Sequence, residues 1–233
     1  TARTEFALAR KMRPRKGSDF KNADGLRDDL IQSIAEYRRE QRDTLVADFD
    51  PTAFDPSGNF FARIGNGSLG GKARGLAFVR YLLNYHGVGN LWPGVKIAVP
   101  PTVVLATDCF DRFLAQNELR DLALSSRDDE KILAEFLRAS LPRDVVRKLR
   151  AFVEAVRWPL AVRSSSLLED SQYQPFTGVY ETFMLPNNHR DARVRLRHLL
   201  VAIRRVYAST FLRQAKDYLH ATPYRLEEEK MAV

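Results

Sequence analysis

The sequence predicts a mixed protein of the α+β class, built from helices and a few short strands. Three observations lead to this class: apolar residues at helical spacing in several long segments, short apolar runs that end in polar loops, and connections of irregular length. A doubly wound parallel sheet would need a regular alternation of strands and helices, which this order lacks. The chain of 233 residues is 45% hydrophobic and 28% charged, like ordinary globular proteins.

The first 58 residues are predicted to form a helical connector or extension. Residues 1–44 carry apolar side chains at helical spacing, and Pro51, Pro56 and Gly58 then break the pattern. We therefore place the main domain at residues 59–233. Because the chain begins with Thr rather than Met and stops at an apolar, strand-like end, we expect it to be a fragment of a longer protein.

The main domain begins with a strand, a glycine-rich turn and a helix. Phe60–Ile64 is a short apolar run, the glycines follow it, and residues 72–86 have helical periodicity. Residues 95–107 are predicted to be a buried strand that Pro100 and Pro101 confine to an edge or a bend. Three further helices are predicted at residues 108–117, 128–139 and 143–156.

Two strands and a long helical segment complete the domain. Residues 158–165 are predicted to form a short strand whose apolar part ends at Arg163, and residues 178–185 alternate like a second strand until Pro186. Helical periodicity then extends over residues 189–219. One face of this segment carries four arginines: Arg190, Arg193, Arg197 and Arg204.

This arginine face leaves an alternative function open. With a formal net charge of +8, the chain could be a non-catalytic or regulatory module that binds RNA or another polyanion through residues 190–213. A solvated face of an amphipathic helix explains the same pattern. Because no aromatic residues alternate with the arginines to stack on bases, the pattern does not favour nucleic acid.

Cysteine content and hydropathy exclude two classes of protein. Cys109 is the single cysteine, so an internal disulfide framework is excluded and a reducing cytoplasm is expected. In its apolar-periodic surroundings, Cys109 is predicted to be a small buried side chain. No apolar run approaches the ~18 residues of a membrane span.

The glycine-rich turn GNGSLGGK, residues 65–72, is of a kind that binds phosphate through backbone N–H groups and the start of a helix. A dinucleotide site would need a carboxylate about 20 residues further on, and no Asp or Glu occurs between Lys72 and Thr107. A Walker A loop is excluded because Asn66 and Ala73 occupy its required Gly and Ser/Thr positions. What remains is Gly70-Gly71-Lys72 at the start of a helix.

A second set of polar residues lies more than 90 positions later. Arg163 is followed by Ser164 and two more serines, and arginine forks with hydroxyl donors are suited to phosphate oxygens. Gly178 and Thr182 follow in a loop and a strand. The two sets together predict an anion site.

The motifs GGKARGL, VPPTVVLATDCFDRFL, AVRSSSLLEDSQYQPFTGVYETFM and EEEKMAV occur in this order between residue 70 and the end of the chain. In sequence and spacing they resemble the nucleotide-binding domain of phosphoenolpyruvate synthase and pyruvate phosphate dikinase. The resemblance implies an ATP-grasp-like fold, of which this chain would carry the first subdomain. It also implies an ATP-dependent phosphotransferase similar to pyruvate, water dikinases.

The resemblance further implies which residues meet the nucleotide. Lys72 and Arg163 would be the catalytic cations on the phosphates. The other residues expected to hold ATP are Gly70, Gly71, Ser164, Gly178 and Thr182. No metal ligand is assigned within the chain: Mg2+ is expected to be bound by carboxylates beyond Val233.

Partners follow from the same resemblance. The nucleotide-binding domain would pass phosphate to a histidine on a phosphocarrier domain of the full-length protein, and from there to pyruvate or a similar acceptor. A membrane partner is not expected, nucleic acid is not favoured, and a homodimeric assembly is left open. The fragment alone is expected to be inactive.

Overall fold

The computed structural model describes residues 19–20, 22–44, 46–58, 60–166 and 178–233. The chain divides into two compact units, Thr1–Leu45 and Val46–Val233. The described part of the first unit contains the helix α1 (Ala23–Thr44); residues 1–18, also predicted to be helical, lie outside the described residues. The second unit begins before the predicted boundary at residue 58, because Phe49 is buried in its core.

A parallel sheet positions the glycine-rich turn. It contains β1 (Ala47–Asp48), β2 (Phe61–Ile64) and β3 (Thr102–Leu105) in the order β1-β2-β3. The helix α2 (Gly70–Tyr85) lies between β2 and β3 in the sequence. The turn therefore follows the carboxyl end of β2, where polar loops of parallel sheets commonly bind ligands.

The strand predicted at residues 95–107 is much shorter than expected. β3 begins only at Thr102, and the residues before the two prolines form an isolated bridge between Trp92 and Val95. Pro100 and Pro101 explain the difference, because neither has the N–H group that a sheet ladder requires.

The helices that follow β3 in the sequence pack around one aromatic core. They are α3 (Thr107–Gln116), α4 (Arg120–Ser125), α5 (Asp129–Arg138), α6 (Arg143–Ala155), α7 (Ala192–Ser209) and α8 (Arg213–His220). The core rings include Phe110, Phe113, Phe136, Tyr207 and Phe211. Among the described helices, none has an apolar stretch long enough to cross a membrane.

Two features of these helices differ from the prediction. The six-residue α4 is too short to show a helical period. The segment with helical periodicity over residues 189–219 is divided into two helices, because the chain turns after Ser209 and buries Phe211 against Phe110, with ring centroids 6.0 Å apart.

Two small antiparallel pairs complete the fold. β4 (Leu160–Arg163) pairs with β6 (Thr182–Leu185), and β5 (Ser165–Ser166) pairs with β7 (Met231–Ala232). The predicted strand at 158–165 is thus interrupted at Ser164. The predicted strand at 178–185 starts later, because residues 178–180 form a turn. Mutual backbone hydrogen bonds between Val233 and Leu105 join the end of the chain to β3.

Cys109 is buried, as predicted, and its thiol donates a hydrogen bond to the carbonyl oxygen of Ile64 at 3.3 Å. Burial, with a smaller contribution from the charge of Asp108, raises the pKa of Cys109 from 9.0 to about 11. Between these two pH values the unfolded chain loses the thiol proton while the folded chain keeps it. Ionisation of Cys109 therefore lowers stability as the pH rises through this window.

We predict that iodoacetamide labels Cys109 slowly in the folded protein at mildly alkaline pH and rapidly in denaturant, because the thiolate is the reactive form. Urea unfolding of the wild type should also lose more stability than Cys109→Ala between about pH 9 and pH 11. Equal losses in the two proteins, or fast labelling without denaturant, would contradict this prediction.

Candidate functional site

The first part of the glycine-rich turn is bound to the start of α3. A single carboxylate oxygen of Asp108 accepts the N–H groups of Asn66 and Gly67, at 2.9 and 3.0 Å. The Thr107 hydroxyl accepts the N–H of Ser68 at 2.9 Å. These three N–H groups are therefore used within the protein, and this stretch supports the site rather than forming a phosphate cradle.

Gly70 is where the turn meets β5. Its φ is +71°, and a Cβ atom at this position would lie 1.6 Å from the carbonyl oxygen of Ser165. The Ser165 hydroxyl donates to the carbonyl of Leu69 at 2.8 Å and accepts the N–H of Ala73 at 3.0 Å. Glycine is thus required here for the close approach of two backbones, and the start of α2, with the buried Gly71, is held against β5.

Lys72 reaches across to the segment that follows β4. Its ammonium nitrogen lies 3.3 Å from both the carbonyl oxygen and the hydroxyl oxygen of Ser164. Ser164 is fully buried. The fold therefore brings Lys72, from the glycine-rich turn, to the residue that directly follows Arg163.

Arg163 and Thr182 are direct neighbours across the β4–β6 pair. Their Cα atoms are in register, so their side chains leave the same face of the sheet. Both are exposed on this face, whereas Val162 and Phe183 point toward the core. No hydrogen bond or ion pair joins the Arg163 guanidinium to the described residues, which leaves its donors available to a ligand.

Gly178 lies in the turn before β6. It has a φ of +82° and open space where a Cβ would stand, and its carbonyl accepts a hydrogen bond from the Gln214 side chain at 3.3 Å. It is exposed and four residues before Thr182. No hydrogen bond among the described residues joins Gly178 to Lys72. Residues 167–177, which lie between Ser166 and Gly178 in the same motif, lie outside the described residues.

The sequence patterns did not reveal three supporting residues: Thr107, Asp108 and Ser165. Asp108 acts across a separation of 42 residues and Ser165 across 92. The one local signal was an Asp in the first turn of a predicted helix, which is equally typical of an ordinary helix start.

The arginine face of residues 190–213 is partly used inside the protein. Arg204, predicted to be solvated, donates to the carbonyls of Leu137 and Ala139 at 2.6 and 3.0 Å. Arg193 is paired with Asp191, which lowers the pKa of that carboxyl through hydrogen bonds from the Arg193 side chain and backbone. Capping a neighbouring helix end explains Arg204 without a polyanion.

No group of three or more His, Cys, Asp or Glu side chains in the described part of the chain is arranged to hold a metal ion. His86 and His220 lie at the ends of α2 and α8.

Comparison with known proteins gives one family. The model of the pyruvate phosphate dikinase AMP/ATP-binding domain matches residues 66–233, a range that begins in the glycine-rich turn and includes every predicted site residue. Neither the curated proteins nor the solved structures compared with the chain give a match. The family domain indicates the ATP- or AMP-binding part of a phosphotransferase of the phosphoenolpyruvate synthase or pyruvate phosphate dikinase type. The resemblance read from the motifs is thus confirmed: the chain belongs to the pyruvate phosphate dikinase AMP/ATP-binding domain family.

Proposed function

We propose that residues 59–233 form the first part of an ATP-grasp-like nucleotide-binding domain, with a helical extension before it. In the whole enzyme, a phosphoryl group of ATP passes to a histidine of another domain and then to pyruvate or a similar acceptor. The observation that carries this proposal is the contact of Lys72 with Ser164, because it joins the glycine-rich turn to the segment that contains Arg163.

Phosphoryl transfer needs positive charge that is already in position where negative charge develops on the phosphates. Lys72 supplies a compact ammonium, and Arg163 supplies a guanidinium that matches phosphate oxygens in a bidentate manner. Ser164 is buried and holds the ammonium in place. Thr182 offers a hydroxyl on the same sheet face as Arg163.

The glycines give the backbone access to the nucleotide in different ways. Gly70 brings α2 against β5 and so determines where Lys72 begins its reach. Gly178 leaves space beside an exposed backbone, which allows its turn to approach a ligand closely. ATP is expected to carry Mg2+, but the described residues offer no carboxylate cluster that fits the ion. We therefore assign no step of the reaction to Mg2+ in this chain.

ATP binding by the chain tests the site. We predict that saturation-transfer NMR detects weak ATP binding by the wild type. Lys72→Gln and Arg163→Gln should each weaken binding by on the order of tenfold or more, because each removes charge-assisted hydrogen bonds worth about 1.5–3 kcal/mol. In the longer enzyme, the same substitutions should reduce ATP-dependent labelling of the histidine domain. Wild-type affinity in both variants would reject the site.

A double variant, Arg190→Gln with Arg197→Gln, is the matched control. Both side chains are exposed and belong to the face that a polyanion would use. The ATP proposal expects them to leave binding unchanged. Loss of binding in this control, together with a steep decrease as salt is raised, would instead support a polyanion-binding module.

A further inference from the structure

The described residues form a cavity of about 680 Å³. It is bounded by α8, by the turn that joins α4 to α5, and by residues 222–227. None of the predicted ATP-site residues lines it. Its volume falls in the range of pockets that hold small molecules.

Hydrogen bonds join the walls of this cavity before any ligand arrives. The Lys216 ammonium, on α8, donates to the carbonyls of Ala123 and Ser126 at the end of α4. The backbone N–H of Arg213 donates to Asp129 at 2.8 Å. Lys216 is 7% exposed, so the contact between α8 and this turn is a buried part of the fold. The walls of the cavity are therefore secondary-structure elements that hydrogen bonds hold together.

Two guanidinium groups at the cavity are available to a ligand. Arg127 and Arg225 line it and are exposed. Among the described residues neither guanidinium has a hydrogen bond or ion-pair partner. Guanidinium groups with unused hydrogen-bond donors at the wall of a cavity favour the binding of an oxyanion.

The charges of the lining indicate which anion fits. Lysine and arginine contribute four positive charges, and two carboxylates contribute two negative ones, so the excess is +2. The lining charges are Arg127, Arg213, Lys216 and Arg225 against Asp217 and Glu227. A phosphate monoester carries about −1.5 to −2 at neutral pH, which matches this excess. The carboxylates, which only accept hydrogen bonds when ionised, suit hydroxyl groups on the organic part.

We propose that this cavity is a second ligand site, separate from the nucleotide site, for a small phosphorylated molecule that carries hydroxyl groups. Arg127 and Arg225 bind the phosphate, and Asp217 and Glu227 accept hydrogen bonds from the hydroxyls. Apolar walls from Leu124 and the ring of Tyr224 cover the remainder of the ligand.

Calorimetric titration with ribose 5-phosphate tests this site on the chain itself. We expect saturable binding of the ester, much weaker binding of inorganic phosphate, and none of ribose. Arg127→Gln combined with Arg225→Gln should weaken binding of the ester by on the order of tenfold or more, since it removes charge-assisted hydrogen bonds. Because both side chains are exposed, this double variant should unfold at the wild-type denaturant concentration.

Lys72→Gln is the control that separates the two sites, and it should leave the binding of ribose 5-phosphate unchanged. Any of four results would overturn the proposal: no saturable binding by the wild type, equal binding by the Arg127 and Arg225 double variant, inorganic phosphate binding as tightly as the ester, or loss of binding in Lys72→Gln. The last result would place the ester in the nucleotide site.

Discussion

Replacing Gly70 with alanine is expected to destabilise the protein more than any other single change considered. The new Cβ would lie 1.6 Å from the Ser165 carbonyl oxygen, at a φ of +71°. Backbone of β5 would have to move, and that strand also pairs with β7. We expect Gly70→Ala to lower the free energy of unfolding by about 3 kcal/mol or more, measured by urea denaturation, from strain and lost packing.

Gly75, on the same helix, is the matched control. It has no positive φ and no atom within 4 Å of a built Cβ. Gly75→Ala should therefore leave stability unchanged or raise it by up to about 1 kcal/mol, because alanine is the better helix former. A Gly70→Ala protein as stable as Gly75→Ala would show that α2 and β5 do not approach each other as described.

Replacing Arg195 with methionine is expected to have the next largest effect. Arg195 is 2% exposed, and its guanidinium donates to the carbonyls of Val153 and His189, both at 2.6 Å. Val153 lies in the last turn of α6, where unpaired carbonyls need donors. Arg195→Met keeps the stem but leaves these carbonyls without the guanidinium, so we expect a loss of about 2–4 kcal/mol in the free energy of unfolding.

Arg197, two residues along α7 and exposed, serves as the comparison. Arg197→Met removes the same charge from the same helix and should change stability by less than about 0.5 kcal/mol. If the two variants unfold at the same urea concentration, the prediction is wrong, and the buried Arg195 guanidinium stabilises the fold no more than the exposed Arg197 guanidinium does.

The elements that could be predicted from the sequence are those whose pattern is local. Periodicity located α2 and α6 closely, and an apolar run located β2. The break between α7 and α8 could not be predicted, because it depends on where Phe211 is buried. The composition of residues 95–100 is typical of a strand. They do not join the sheet, because Pro100 and Pro101 lack the N–H groups that pairing requires.

Some residues of the candidate site could be predicted from local sequence patterns, and others could not. Lys72 and Arg163 could be selected as candidates because a lysine after two glycines and an arginine before serines are typical of phosphate sites. Asp108 and Ser165 could not, since each acts through a hydrogen bond to a residue far away in the sequence. Arg204 was interpreted as part of a solvated face, and nothing local shows that a helix end lies opposite Arg204 or Arg195.

The pairing of β5 with β7 has a consequence for the order of folding. Ser165 pairs with Ala232, and Leu105 exchanges backbone hydrogen bonds with Val233. A ribosome adds roughly 5–20 residues per second. The newly synthesised β5 therefore stays unpaired for on the order of seconds, until β7 has been synthesised. Pairing between strands that are far apart in the sequence is also intrinsically slow. The neighbourhood of Lys72 therefore completes its folding only after Ala232 has been synthesised, and until then the nascent chain presents an unpaired strand edge.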